Sequence, residues 1–391
     1  MPPRTFIVDR FEIDSEDVLG AGGFGQVFRA IDQASGETVA AKVIDSKRMR
    51  RDKILHEIRL MERVSNHEGV VGLRGAQEVV EESKIFIFME LATGGELFGR
   101  VVKNGKLEEP EAVRYFVEVV SAVGYLHEQG VVHRDLKLEN VLLSSSDTCK
   151  LCDFGLAHLF ERGPGGEMLV QTLKEVCGSK SYAAPEVLAG MGYDGLRADM
   201  WSLGICLFAM LAGFFPLDEA AGQDWRYASA QKAVRAGGSL TQHIFQLYSR
   251  PCPLSPEAIA LLDLLLSLEP EQRALTPQAL GAAWATGGKL DEQARAAVFE
   301  KASTALGQGP QASFGSSMPS YDSSIPSYGG ASAGSGYSSS VVSFGAQASM
   351  EMSFGSALAA DAPVYRAFSG GPPPPPPGLT KQNAFVREMP E

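Results

Sequence analysis

A chain of 391 residues, 45% of them hydrophobic, is long enough for two or three lobes or domains around a sizeable core. With 35 basic against 47 acidic residues the net charge is −12, which excludes a general nucleic-acid binder and suits basic partners. Five cysteines form an odd, sparse set, which points to a reducing compartment rather than a disulfide framework.

The opening stretch Met1-Pro2-Pro3-Arg4-Thr5-Phe6-Ile7 lacks the apolar core of a secretion signal. The longest apolar run, 203–217, is broken by Gly213 and Pro216 and reads as a buried helix, not a membrane span. A cytoplasmic or nuclear location is therefore expected.

The first motif is Leu19-Gly20-Ala21-Gly22-Gly23-Phe24-Gly25-Gln26-Val27. Glycines at this spacing let a backbone approach phosphate oxygens without a Cβ clash. A dinucleotide-binding turn or a plain flexible hairpin carries the same glycines. Here, however, a strand (27–31), a turn (33–36) and a second strand (39–42) follow, and no helix opens at once as a dinucleotide-binding domain needs. Lys42 ends the second strand. From Asp52, the residues Ile54, Ile58, Met61 and Val64 recur at helical spacing, with Glu57 and Glu62 as the carboxylates of that helix. The strands 73–79 and 84–90 complete a small antiparallel sheet. Pro110 opens a long helix to Gln129 with Val113, Phe116, Val117 and Val120 on one face.

The stretch 132–155 carries the chemistry. Asp135 lies two residues before Lys137 and five before Asn140 in one tight loop. A strand (141–143), a polar turn (144–148) and a second strand (149–152) then deliver Asp153. A hairpin of that length brings Asn140 and Asp153 together as oxygen ligands for a hard cation carrying phosphates. Asp135 is left to accept a proton beside them.

His133-Arg134-Asp135-Leu136-Lys137-Leu138-Glu139-Asn140 resembles the catalytic loop of eukaryotic protein kinases, and Asp153-Phe154-Gly155 their metal-binding motif. The wording Gly94-Gly95-Glu96-Leu97-Phe98 is most like the calcium/calmodulin-dependent kinase group. The resemblance implies an α+β, bilobal protein-kinase-like fold, with a small antiparallel β-sheet lobe carrying one helix and a larger, mainly helical lobe. It implies ATP and Mg2+ as cofactors: residues 19–27 over the triphosphate, Lys42 held by Glu57 on the phosphates, and Asn140 and Asp153 on the metal. Asp135 is then the base and Lys137 the contact to the γ-phosphate. Ala40, Glu90, Ala92 and Leu142 are expected around the adenine, with Met89 as gatekeeper. Glu96 is expected on the ribose hydroxyls or on a substrate arginine, or else as an ordinary helix-start carboxylate. Lys137, and Ser179 ahead of Tyr182-Ala183-Ala184-Pro185-Glu186, match the serine/threonine pattern. By the same resemblance Asp199 braces the catalytic loop, Glu186 pairs with Arg273, and Trp284 closes the domain after helices over 255–267 and 276–285.

The expected organisation is an N-terminal extension (1–10), the kinase domain (11–285), a helical extension (286–306) and a disordered Ser/Gly/Ala/Pro-rich tail (307–391). The tail holds six prolines, 372–377, expected to form a polyproline II rod that either binds a partner module or is an inert linker. Cys149 and Cys152 form a lone C-x-x-C that reads as strand residues rather than a zinc site. No calcium-binding loop is apparent, and the charges over 287–306 balance, unlike a calmodulin target. The threonine many relatives carry two residues before C-G-S/T is here Glu175, with Arg134, Lys53 and His158 as its expected basic pocket and Thr172 as the alternative phosphosite. A preference for basic substrates through Glu96 and Glu139 is expected, and a monomer without membrane or nucleic-acid partners. The rival to an active enzyme is a pseudokinase scaffold acting through its tail. As side chains lining a cleft, Lys42 and Asp135 are expected to matter for transfer and not for stability.

Overall fold

The computed structural model describes residues 5–22 and 25–287. The tail 307–391 and, save for Thr286 and Gly287, the extension over 286–306 lie outside the described residues, as do Gly23 and Phe24.

Alternating apolar residues build the smaller lobe. β1 (Thr5–Val8), β2 (Phe11–Gly22), β3 (Gly25–Asp32), β4 (Thr38–Asp45), β5 (Leu73–Val79) and β6 (Lys84–Glu90) form one antiparallel sheet in the order β1-β2-β3-β4-β6-β5. Val8, Phe11, Ile13, Val39, Phe86 and Phe88 bury one face, with the Phe11 ring stacked on Phe88 at 3.8 Å between centroids. The segment set apart as an extension thus contributes a strand: Asp9, at φ 55°, turns the chain so that β1 pairs back along β2. Four residues interrupted by a charged Asp-Arg turn are too short to signal a strand by alternation alone.

α1 (Arg51–Val64) connects β4 to β5 and buries Ile54, Ile58, Met61 and Val64, as its spacing predicts. Glu57 is buried on the same face, whereas Glu62 is exposed.

The larger lobe begins with α2 (Leu97–Asn104) and α3 (Glu109–Glu128). α3 buries Ala112, Phe116, Val119, Val123 and Leu126, so its core stripe is rotated from the expected one, with Val113 and Val117 half-buried at the edge. The cause is packing from several sides, by α5, α9 and β9. β7 (Val131–Val132), β8 (Val141–Leu143), β9 (Cys149–Leu151) and β10 (His158–Leu159) are short; β8 pairs with β9 and β7 with β10. Then follow α4 (Pro185–Ala189), α5 (Gly195–Ala212), α6 (Trp225–Arg235), α7 (Leu240–Leu247), α8 (Pro256–Leu265) and α9 (Thr276–Leu280). Both closing helices are shorter than expected: α8 ends at Leu265 with Leu266 as its C-cap, and α9 at Leu280 with Gly281 as its C-cap.

Among the described residues α5 is the helix long and apolar enough to cross a membrane, yet 83% of that window is buried inside the domain. It contains the expected apolar run only as far as Ala212. Gly213 ends it at φ 73°, where a Cβ would also meet the Gly105 carbonyl oxygen at 2.1 Å. Trp284 is buried and donates its Nε1–H to Glu109 at 2.9 Å, tying the end of the domain to the start of α3.

Candidate active site

β4 and α1 supply the first pair. Register sets Lys42 opposite Val27 on one side and Ile87 on the other, in the middle of the sheet. Its ammonium reaches the Glu57 carboxylate at 2.7 Å and lies 3.6 Å from Asp153. Burial alone would lower the Lys42 pKa, but the charges of Glu57 and Asp153 outweigh it and hold the group above its ordinary value.

The glycine motif is a hairpin. Gly20, Ala21 and Gly22 on β2 pair with Val27, Gln26 and Gly25 on β3, and a register irregularity falls between Val18 and Gly20, beside Leu19. The glycines are not equivalent. A Cβ on Gly25 would meet the Val43 carbonyl oxygen of β4 at 2.0 Å, whereas nothing among the described residues lies within 4 Å of one on Gly20. Gly25 is thus required by the sheet itself, and Gly20 only by what approaches from outside.

β6 leads into the connection between the lobes. Met89 lies opposite Ala40 across the strand pair. The Glu90 side chain is committed to Lys150 at 2.7 Å and to the Gly72 amide at 3.2 Å, and its own N–H donates to Gly72. What Glu90 offers a nucleotide is therefore backbone, not carboxylate. Ala92 is half-buried just beyond it. The Gly94 N–H donates to Leu143 and the Leu143 N–H to Gly95, an approach so close that a Cβ on Gly94 would meet Ser144 O at 2.7 Å. This stitching sets Glu96 opposite Leu142.

The catalytic loop is braced from beneath. Asp199 on α5 accepts the His133 N–H at 2.8 Å and the Arg134 N–H at 2.9 Å, and His127 Nε2 lies 3.0 Å from it. Arg134 and Asp153 sit at φ 64° and 63°, left-handed conformations that cost a non-glycine residue energy and persist where neighbours fix them. Asp135 is held on both oxygens. Oδ1 accepts the Ser179 N–H at 2.8 Å, and Oδ2 lies 3.1 Å from the Lys137 ammonium, which in turn donates to the Ser179 hydroxyl at 3.0 Å. The segment that runs from Gly155 to Glu186, the activation segment, is thereby docked through Ser179 on Asp135 and on Lys137. Gly178, at φ 90°, allows it: a Cβ there would meet Arg134 O at 2.5 Å.

The Asn140 amide nitrogen donates to the Asp135 carbonyl at 2.9 Å, which leaves Oδ1 buried with no hydrogen-bond partner. A buried orphan acceptor calls for a ligand. The Cys152 N–H donates to Asn140 O at 3.0 Å, which brings the start of Asp153-Phe154-Gly155 up to this residue. An amide oxygen and a carboxylate are donors that would suit Mg2+, which takes few protein ligands and fills its octahedron with phosphate and water. Among the described residues no group of three or more His, Cys, Asp or Glu could hold a metal. Cys149 and Cys152 are buried, the Cys152 thiol donating to Asn140 O at 3.4 Å.

Glu96 and Glu139 form an acidic pair. Burial, and then the neighbouring Glu139, push Glu96 up to about 7 against the pull of Lys137. Burial likewise raises Glu139, which accepts the Tyr182 hydroxyl at 2.9 Å. The sequence offered Tyr182 only as the first residue of the string Tyr182-Ala183-Ala184-Pro185-Glu186, without a role of its own. The Arg273 guanidinium, fully buried, grips Glu186 at 2.5 and 3.1 Å, the expected ion pair.

Glu175 meets Arg134 at 3.1 Å. The rest of its expected pocket differs. Lys53 is exposed, and His56, one turn further along α1, is the residue whose charge reaches His158. Burial, then Arg134 and His56, push the His158 imidazole below its usual value, so that it is largely neutral at pH 7 and adds little charge to the pocket.

Comparison with known proteins agrees with this geometry. The protein kinase domain family matches residues 13–285. The chain is similar to CBL-interacting serine/threonine-protein kinase 26 of Arabidopsis thaliana, 37% identical over 297 residues that cover 75% of this chain and 62% of the relative. It is likewise similar to CBL-interacting protein kinase 16 of Oryza sativa subsp. japonica, 39% identical over 287 residues covering 72% of this chain and 58% of the relative. The chain thus spans about three-fifths of the length of these curated relatives.

Proposed function

The chain belongs to the protein kinase family, and within it we propose that this member transfers the γ-phosphate of ATP, with Mg2+, to serine or threonine hydroxyls of proteins. The observation that carries the reading is the Lys42–Glu57 pair at 2.7 Å with Asp153 3.6 Å from the same ammonium. Lys42, Glu57 and Asp153 meet as transfer requires of a phosphate-binding lysine, its helix carboxylate and a metal-binding aspartate, which supports an active enzyme over a scaffold.

In the transfer step a substrate hydroxyl gives its proton to Asp135, and its oxygen forms a bond to the γ-phosphorus. The bond to the β–γ bridging oxygen breaks and ADP leaves. Lys137, beside Asp135, offsets charge on the moving phosphoryl group, and Lys42 holds the phosphates behind it. Asn140 and Asp153 would hold Mg2+, which neutralises phosphate charge when bound. Glu96 and Glu139 offer their carboxylates to a basic residue three positions before the acceptor.

The names of the relatives also record an interaction with CBL. The matched spans cover the kinase domain and only 62% and 58% of those proteins, so that partner does not come with the match. The prolines 372–377 suit a polyproline-binding module, and titration of a 307–391 peptide against such modules tests that assignment.

Radiolabelled ATP, Mg2+ and a basic serine peptide test the central reading. Label in the peptide with the wild-type chain, and background with Asp135→Asn, is the expected result; background with both rejects it.

A further inference from the structure

We propose that the C-terminal end of α3 is a junction that holds α1 and the activation segment in register, with Arg63 and Arg162 as its positioning residues. The inference rests on the transfer reading above and concerns how the two segments that complete that site are kept in place.

A helix leaves its last carbonyls without intrahelical donors, and they carry the negative end of its dipole. The chain turns away from α3 at Gly130, at φ 79°, and three successive carbonyls there find donors elsewhere in the chain. Glu128 O accepts from Arg162 Nη2 at 2.8 Å, Gln129 O from Arg63 Nε at 2.8 Å, and Gly130 O from the Phe160 N–H at 2.8 Å. A guanidinium suits such an end, because it brings positive charge together with its donors. Among the described residues neither arginine forms an ion pair, so no carboxylate competes with the helix for them.

Arg63 stands six residues after Glu57 on α1, about 9 Å along the axis. α1 contains no glycine or proline to bend at, so a shift at one end moves the other. The stretch beyond it leans on α3 as well, the His67 ring stacking on Tyr125 at 4.9 Å. Through the helix, Arg63 thus helps to fix the carboxylate that holds Lys42.

Arg162 belongs to a hairpin of the activation segment, β11 (Glu161–Arg162) paired with β12 (Met168–Leu169). Its fork is divided. Nη1 donates to Gly166 O at 2.9 Å and closes the hairpin, while Nη2 docks that hairpin on α3. Just before it, β10 pairs with β7, the strand that follows α3. The segment whose Ser179 meets Asp135 and Lys137 therefore starts out against the same helix end that holds α1.

The two arginine bonds land on adjacent peptide carbonyls. A last turn whose carbonyls are unfilled frays, so each arginine keeps in shape the turn that the other one binds. Losing either should loosen both segments. Two independent helix caps would behave otherwise, each loosening its own segment alone.

The test is hydrogen exchange of the full chain, read by mass spectrometry on peptides from α1 and from residues 155–180. Wild type, Arg63→Ala, Arg162→Ala and Arg63→Lys are compared. Both arginines are exposed, so the variants should fold and melt close to the wild type. Exchange about fivefold faster in both segments for either alanine variant is the expected result. Arg63→Lys should regain most of the protection, since its ammonium still donates to a carbonyl. The kcat/KM for a serine peptide should fall about threefold in the alanine variants and return with the lysine. Acceleration confined to the segment that carries the substitution would leave two separate caps and overturn the junction. Acceleration of both segments with kcat/KM unmoved would overturn its role in positioning the site. A wild-type chain that labels no peptide rejects the transfer reading, and the exchange pattern, which needs no turnover, still decides the junction.

Discussion

Glu175 places its carboxylate 3.1 Å from the guanidinium of Arg134, the residue before Asp135. The arginine side chain is only 10% exposed, so the charge it meets there matters to the loop it belongs to. Its Nε–H donates to Leu156 O at 2.7 Å, just after Asp153-Phe154-Gly155. On the other side, the Glu175 carbonyl accepts the Tyr193 hydroxyl at 2.9 Å. One carboxylate therefore ties activation segment, catalytic loop and metal-binding motif together, where a phosphate would bring about 1.5 to 2 charges instead of one.

Glu175→Ala should accordingly lower kcat/KM about fivefold, the share of a partly exposed ion pair worth up to about 1 kcal/mol. Treatment with phosphatase should leave the wild type unchanged. Loss of activity on dephosphorylation would transfer the role to a phosphosite such as Thr172, and an unaffected Glu175→Ala would end the idea.

Asp135→Asn should cost a factor of about 10² to 10⁴ in turnover and lower the melting temperature little, since the amide keeps the shape and an oxygen for the Ser179 N–H, and Lys137, which loses its anion, keeps the Ser179 hydroxyl as acceptor. Lys42→Met differs from the sequence-based expectation that cleft residues are neutral for stability. Glu57 is 3% exposed and has Lys42 at 2.7 Å, so losing the lysine strands a buried carboxylate. Besides losing transfer, Lys42→Met should melt several degrees lower. Thermal unfolding of the two variants side by side distinguishes the cases, and equal melting would contradict the buried-pair argument.

Much of the site was legible in the sequence because its chemistry is local. Asp135, Lys137, Asn140 and Asp153 lie within one loop-hairpin-strand unit whose turns fix their geometry. Periodicity placed Lys42 on a strand and left Glu57 and Glu62 both open on the helix; the resemblance singled out Glu57, which is buried where Glu62 is exposed. What stayed hidden depends on contacts between distant segments. Tyr182 meets Glu139 across 43 residues, and the Gly25 constraint comes from the neighbouring β4 backbone. The rotated stripe on α3 had the same origin. A helix packed on several sides does not advertise one face.

The two glycines at either end of the phosphate hairpin should therefore behave differently. Gly25→Ala forces a Cβ to within 2.0 Å of the Val43 carbonyl oxygen unless β3 and β4 separate, and the pairing that breaks is the one beside Lys42. Overpacking of this kind costs about 1–3 kcal/mol, so the variant should melt lower and bind ATP poorly. Gly20→Ala has open space around its Cβ and should melt like the wild type, with any penalty confined to the KM for ATP. Differential scanning fluorimetry with and without ATP reads both. A Gly20→Ala protein as destabilised as Gly25→Ala would refute the distinction.

The last prediction concerns pH. Glu96 is pushed up to about 7, first by burial and then by Glu139. A carboxyl whose folded pKa lies above its unfolded value makes no demand on stability below the unfolded value. Ionising it costs stability increasingly as pH rises towards 7, and the full cost is present above. An arriving guanidinium reverses the preference, because it stabilises the ionised form and displaces the proton. Between pH 6 and pH 8 the ionised fraction of such a group rises about tenfold. The ratio of kcat/KM for a peptide with Arg three residues before serine to one with Ala there should climb over the same range. The ratio cancels any pH dependence of the transfer step itself, which both peptides share. In Glu96→Gln it should be small and flat, since the amide has no proton to lose. A wild-type ratio independent of pH, or a climb that persists in Glu96→Gln, would remove Glu96 from substrate recognition and leave it as a carboxylate at the start of α2.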